Sequence, residues 1–279
     1  MRLLVTSRQD PASVVQREAL LRIPGWEEAG AFAGYPALRR GGSVLVTIPD
    51  LHLYHDHVDR EAQAVLGEAP EVVVFLSKHR SESGTPSLTV HPIGNFGPAD
   101  FGGRAGTLVR TAPRIMTETL RAVRREAAGL EYAVTFEATH HGPLLDAPAF
   151  FIEAGSTERE WGDAAAAGAL MRALLSVDPG SSPIAVGVGG GHYVPRLTDV
   201  ALSRDVAFGH LLAGYAFPFL TDAMIDRVVD GTPGATLVYF HRKAVEKAAL
   251  RDLIARFEAR GLKSVREEDL APLPPKQSY

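Results

Sequence analysis

Glu71-Val-Val-Val-Phe-Leu76 reads as a strand without a polar face. Five apolar residues in succession, mostly β-branched, suit a strand covered on both sides by helices, as in a parallel sheet. The flanking sequence repeats the theme. Arg2–Thr6 reads as a first strand, and Asp10-Pro11 opens a helix running to about Arg22, with proline in the first turn. Ser43–Ile48 is a second strand, Ser87–His91 a short one, and 92–112 a loop rich in Gly and Pro. Pro113–Ala128 is a helix stopped by Gly129. Strands follow at Glu131–Phe136 and Ala149–Ile152. Thr157-Glu-Arg-Glu160 has capping-box spacing ahead of an Ala-rich helix over 160–176. Pro183–Val188 and Ala235–Phe240 are further strands, and Asp222–Val229 and Ala244–Arg260 are helices stopped by Gly231 and Gly261. This pattern predicts an α/β fold: one three-layer α/β/α sandwich around a mixed, largely parallel sheet. That sheet is expected to carry 71–76, 131–136, 149–152, 183–188 and 235–240. Neither an internal repeat nor an interior linker divides 1–279, so a single domain is expected, with 271–279 as an extended tail.

Of 279 residues, 46% are hydrophobic and 22% charged, the balance of a soluble globular chain. No apolar run reaches the ~18 residues of a membrane span. Met1-Arg-Leu-Leu-Val-Thr-Ser7 turns polar too soon for a signal peptide. A cytoplasmic monomer with no membrane or protein partner is therefore expected. The absence of cysteine excludes disulfides, thiolate nucleophiles and Cys-bound zinc. The net charge of −4 provides no global field for nucleic acid, but leaves room for a local basic face. Asn95 is the single asparagine, and arginine far outnumbers lysine. Such a bias fits a heat-adapted source or a GC-rich genome.

Open α/β sheets place their sites outside the carboxyl ends of strands. Five predicted strands end in chemistry-bearing residues: Ser77-Lys78-His79-Arg80, Glu137-Ala-Thr139-His140-His141-Gly142, Glu153-Ala-Gly155-Ser156, Gly189-Gly190-Gly191-His192-Tyr193 and His241-Arg242-Lys243. His140 and His141 offer neutral imidazoles to a metal or a base to a hydrolytic water. Adjacent side chains on a strand point apart, so one of the pair acts while the other is structural; alternatively both simply pack at a strand end. Glu153 directly follows a buried strand and needs a partner. It serves as a metal ligand or general base, or it caps the next helix together with Ser156. Gly189–Gly191 lets backbone N–H groups approach an anion, or forms a tight turn. Lys78 and Arg80, beside Ser81 and Ser83, suit a phosphate or line a solvated loop. Asn95 offers a side-chain amide to a ligand or holds a turn. His52, His55 and His57, with Asp56 and Asp59, lack a clean ligand pattern, and His210 reads as a core histidine. There is no Gly-x-Ser-x-Gly elbow, His-Glu-x-x-His or dinucleotide fingerprint.

Taken in order, His79-Arg-Ser-Glu-Ser-Gly84, Leu88-Thr-Val-His91-Pro, Gly94-Asn95, Thr139-His140-His141-Gly142-Pro143, Phe151-Ile-Glu153-Ala-Gly155-Ser156 with Glu160-Trp161, and Gly187-Val-Gly-Gly-Gly-His192-Tyr193 resemble the archaeal and plant type of D-aminoacyl-tRNA deacylase. The resemblance extends from the first strand to His241-Arg242-Lys243. It implies a phosphorylase or peptidyl-tRNA hydrolase-like fold and translation quality control, by hydrolysis of the ester between a D-amino acid and the 3′ end of tRNA. It also implies zinc. The motif residues that map here are His79, His91, Asn95, His140, His141, Glu153 and His192. Together the two readings assign catalysis to His140, His141, Glu153 and His79. They assign substrate or anion binding to Lys78, Arg80, Asn95, Gly189, Gly190 and Gly191, and metal binding to His140, His141, Glu153 and His192. Two other classes compete: a metal-dependent hydrolase or phosphorylase acting on a small ester, peptide or nucleoside, and a non-catalytic RNA-end-binding protein.

Overall fold

The structure, a computed structural model, describes residues 1–273. Twelve of its strands form two sheets, where one was expected. The larger runs, in spatial order, Glu27–Phe32, Tyr35–Arg40, Ser43–Ile48, Arg2–Ser7, Val72–Lys78, Ala149–Gly155, Ser87–Pro92 and Ala133–Phe136. Its centre is parallel, whereas Ser87–Pro92 runs antiparallel to Ala149–Gly155. The smaller sheet is wholly parallel, in the order Ala207–Leu212, Ile184–Val188, Ala235–Phe240 and Lys263–Val265. The fold is therefore α/β with mixed, largely parallel pairing and helices on both sides, but 183–188 and 235–240 leave the sheet that carries 71–76 and 149–152.

Both sheets nevertheless contribute to one apolar cluster. Leu4, Val74, Leu76, Val90, Phe136 and Ile152 meet Ala185, Phe208, Leu211 and Tyr239 there, under Leu20, Leu120 and Leu170 from the helices Pro11–Leu21, Pro113–Glu126 and Ala164–Ser176. Burying such side chains is worth about 1.5–3 kcal/mol each. On the opposite face of the large sheet, Val58 and Ala62 of the helix Val58–Leu66 cover Val73, Phe75 and Phe151.

Several boundaries differ from the sequence reading for identifiable reasons. The helix expected over 160–176 is two, Glu158–Trp161 and Ala164–Ser176, because Gly162 ends one and Asp163 caps the next. The strand expected to end at Ile152 continues to Gly155, so Glu153 lies within it and caps no helix; Thr157 and Glu160 form that cap. The hairpin Glu27–Phe32/Tyr35–Arg40 has mostly exposed or half-buried residues and no apolar run to announce it. Ala207–Leu212 is buried throughout, but its Gly-His interruption masks the strand pattern. Of the tail, Pro272 bridges Arg204 and Leu273 N–H donates to Ser203 O; the expectation for 274–279 falls outside the described residues.

Direction matters most for the site. Since Ser87–Pro92 is antiparallel to Ala149–Gly155 and parallel to Ala133–Phe136, the carboxyl end of the latter does not share an edge with Lys78 and Gly155. Polar residues therefore meet across a sheet face rather than along one edge. Glu137–His140 then forms the seam between the sheets. Glu137 bridges Tyr193, Ala138 N–H donates to His192 O, Thr139 N–H donates to Leu211 O, and His140 bridges Ile93.

Candidate active site

Side chains two apart on a strand share a face, and directly paired residues face the same way. Glu153 pairs with Ser77 on one side and Thr89 on the other, while Phe151 pairs with Phe75 and His91. Thr89 in turn pairs with Thr135. Hence Glu137, two residues beyond Thr135, emerges on the face that carries Glu153 and His91, and His79 follows Ser77 onto it. Beneath them Phe75 and Phe151 stack at 4.8 Å, and His91 lies nearly parallel to Phe151 at 5.1 Å.

The result is a cluster of five histidines and two glutamates. His79 Nδ1 lies 3.1 Å from Glu137 Oε1 and 3.6 Å from Glu153 Oε2, and its Nε2–H donates to the Tyr193 hydroxyl at 2.5 Å. His91 Nε2 is 3.6 Å from Glu153 Oε1. Glu137 Oε2 is 2.9 Å from His192 Nε2 and 3.6 Å from His140 Nε2. The His140 ring is 4.1 Å from His91, 4.2 Å from His141 and 4.6 Å from His192. His140 and His141 thus face one site rather than pointing apart. His141 has φ of +42°, which breaks the extended alternation on which the contrary expectation rested.

Charge divides the histidines into two kinds. Burial pulls His79 down, but Glu153 and Glu137 outweigh it and hold the ring cationic, with a pKa raised to about 10. His91 is likewise depressed by burial and raised on balance by Glu153. Burial lowers His141 to about 4, reinforced by His91, and lowers His140 well below its ordinary range, reinforced by His91, His141 and His192. Burial also opposes ionisation of Glu137 and Glu153. The approach of His192, with His79 and His91 nearby, reverses this for Glu137; His79 and His91 reverse it for Glu153. Neutral bases and a cation, His79, therefore stand side by side.

The donor set suits a divalent metal. His91, His140 and His141 can each donate Nδ1–H to a backbone carbonyl, of Pro92, Ala138 and Gly142, leaving the Nε2 lone pair as ligand. Donor atoms within 4.8 Å of one another fall into three overlapping groups among the described residues: His91, His140 and His141; His79, Glu137 and His192; His91, Glu137 and Glu153. Buried His91 Nε2 and both Glu137 oxygens lack a hydrogen bond of good geometry, as ligand atoms can when a metal satisfies them. Glu137 is the residue to which the sequence reading assigned no role. It stood in plain view before Thr139-His140-His141, but nothing short of register placed it among the histidines. His91, known only through family resemblance, joins it.

The other expected residues lie around this cluster. Lys78 and Arg80 sit over the Trp161 ring at 5.0 and 6.0 Å, beside a 720 Å³ cavity that also receives His79, His140, Glu153 and His192. Asn95 donates its amide to Gly102 O, holding a loop. Gly189 N–H donates to Leu212 O, which removes it as an oxyanion donor; the loop instead carries His192 into the site. Gly189 also abuts His241, at the edge of a 470 Å³ cavity lined by Arg196, Arg242, Lys243 and Arg266, of which Arg196 and Arg266 are paired with Glu267 and Glu268. His52 and His55 pair with Asp10 and with Asp50 and Glu61, and His210 Nδ1 is 3.1 Å from the Thr139 hydroxyl. His210 is buried in the core, as read, whereas His52 lines the 720 Å³ cavity.

Comparison with known proteins bears on this geometry. The family model for D-aminoacyl-tRNA deacylase matches residues 66–265. A D-aminoacyl-tRNA deacylase of Thermoplasma acidophilum is 36% identical over 258 residues, covering 92% of this chain and 96% of the relative. One from Methanococcoides burtonii is 37% identical over 276 residues; the match takes in 96% of this chain but only 57% of that longer protein. A crystal structure of a conserved protein of unknown function, AF0625, superposes with a TM-score of 0.90 at 31% identity, covering 97% of this chain and 96% of the other.

Proposed function

This chain belongs to the D-aminoacyl-tRNA deacylase family, and we propose that it hydrolyses the ester between a D-amino acid and the 3′-terminal ribose of tRNA at the histidine–glutamate cluster. The observation that carries the site assignment is the meeting of neutral His140 and His141 with cationic His79 on one sheet face, at the floor of an open cavity. Ester hydrolysis needs both kinds of group. His140 takes a proton from water as the oxygen attacks the ester carbonyl. His79, held cationic by two carboxylates, sets positive charge beside the tetrahedral oxyanion. Collapse breaks the bond to the ribose oxygen, which takes up a proton, releasing the D-amino acid and free tRNA. His192, half-exposed at the cavity and 2.9 Å from Glu137, is placed to move protons between cluster and solvent.

Zinc is the cofactor we propose; His91, His141, Glu137, Glu153 and His192 would hold it, His91 giving up its second proton on binding, which leaves His140 as the base and His79 as the cation. When bound it supplies a Lewis acid and an acidified water. A substrate produced during translation supports a cytoplasmic location. No helix among the described residues is long and apolar enough to cross a membrane. The relatives favour this activity over a small-molecule hydrolase or phosphorylase. The test is incubation with D-Tyr-tRNA and L-Tyr-tRNA, with and without chelator. Release confined to the D-ester, lost on chelation and restored by zinc, is expected. Equal release from both esters refutes the function, and full activity of metal-free protein refutes the zinc assignment alone.

A further inference from the structure

Two cavities meet at His140 and His141, and they differ in size and charge. The larger, of 720 Å³, carries the cations Lys78 and Arg80 together with Glu82, Glu158 and Trp161, and shares Phe101 with the smaller. The smaller, of 250 Å³, lies on the other side of the histidines and is walled by Phe96, Phe101, Tyr215 and Phe219. Phe101, Tyr215 and Phe219 are 63%, 49% and 41% exposed, and they account for three of the six large apolar side chains left exposed among the described residues. Single exposed apolar residues are ordinary; three gathered around one small pocket at a reacting centre call for an occupant.

We infer that the aromatic pocket of Phe96, Tyr215 and Phe219 receives the amino-acid side chain of the substrate, while the larger cavity receives the terminal nucleotide. This rests on the ester hydrolysis proposed above. An ester carbonyl held at His140 and His141 has two arms, the acyl group and the ribose. The ribose arm is the bulkier and leads to phosphate, so it goes to the larger side, with Lys78 and Arg80. The acyl arm is left with the small side, which has aromatic walls and no cation. A volume of 250 Å³ accommodates one large side chain but not a nucleotide. Fixing both arms and the carbonyl also determines where the α-ammonium points, and that position is what differs between D and L esters. Phe219 is itself positioned from below: a Cβ added at Gly97 would lie 2.6 Å from its ring, so the glycine gives the ring its seat.

The test is the ratio of kcat/KM for D-Tyr-tRNA to that for D-Ala-tRNA, in wild type and in Phe219→Ala and Tyr215→Ala. Both rings are partly exposed, so neither truncation empties the core. The expected result is a roughly tenfold fall in that ratio, because a wall that packs on tyrosine contributes little to alanine. A ratio within about twofold of wild type in both variants overturns the assignment, including the case where both substrates slow equally, which is the signature of a pocket for the terminal adenine. Failure of the wild-type enzyme to cleave either ester would instead sink the functional reading itself.

Discussion

Glu137→Gln is the most informative single change. Glu137 is wholly buried, with His192 at 2.9 Å, His79 at 3.1 Å and His140 at 3.6 Å. Glutamine keeps the shape and removes the charge, so packing is constant and electrostatics alone is tested. Stranding a buried partner charge costs about 3–5 kcal/mol. Here His79 keeps Glu153 at 3.6 Å, so the expected loss lies below that range, at about 2–3 kcal/mol. At roughly 2–4 °C per kcal/mol for a chain of this size, Tm should fall by about 5–10 °C. Removing a group that orients reactive imidazoles costs about 10–100-fold in activity or metal affinity. Differential scanning calorimetry at neutral pH gives the first number, and single-turnover hydrolysis of D-Tyr-tRNA the second. A variant melting within about 1 °C of wild type and turning over within about twofold would refute the claim that Glu137 holds the cluster together.

His140→Ala and His141→Ala, tested separately with folding checked by circular dichroism, should each lower D-Tyr-tRNA turnover by about 100-fold or more; retention of near wild-type rates by both would remove them from the site. Since burial and the neighbouring histidines hold His140, the proposed base, well below its ordinary range, kcat/KM should show no acid limb at the usual histidine pKa of about 6.5, and an inflection there would contradict the assignment. Stability follows the same signs. The depressed His141 contributes fully above pH 6.5 and loses its contribution as pH falls through about 4, whereas the raised His79 contributes fully below 6.5 and loses it as pH rises through about 10, so Tm should peak near neutrality. Affinity for tRNA should drop with salt as phosphate contacts release counterions, and Arg80→Ala or Arg242→Ala should weaken tRNA binding more than hydrolysis of aminoacyl-adenosine; salt-independent binding would exclude this mode.

Much of the scaffold was legible because local physics decides it. Val72–Lys78, Ser43–Ile48 and Ala235–Phe240 are apolar runs, and Asp10, Gly129 and Gly231 sit at helix ends as their side chains, or lack of them, require. The number of sheets was not legible, because apolar strands that share a core look alike whether or not they share hydrogen bonds. The site was half legible. His79, His140, His141, Glu153 and His192 announced themselves as polar residues beside buried strands. Glu137 did not, since its role depends on Thr135 pairing with Thr89 in a strand antiparallel to Ala149–Gly155. Nor did the convergence of the two adjacent histidines, which depends on one left-handed residue.

The seam at Glu137–His140 has a consequence for synthesis. The strands of the large sheet lie between residues 2 and 155, and those of the small sheet between 184 and 265. A nascent chain therefore extrudes His79, His91, Glu137, His140, His141 and Glu153 before His192 and Tyr193, the residues that His79 and Glu137 contact from across the seam. Until the second half leaves the ribosome, Glu137 lacks its nearest partner, His192, and the cluster one of its walls. The site is therefore incomplete in a chain that has not yet reached His192 and Tyr193. Ribosome-bound chains truncated just before His192 should be inert on D-Tyr-tRNA, and activity from such a chain would show that the first half suffices.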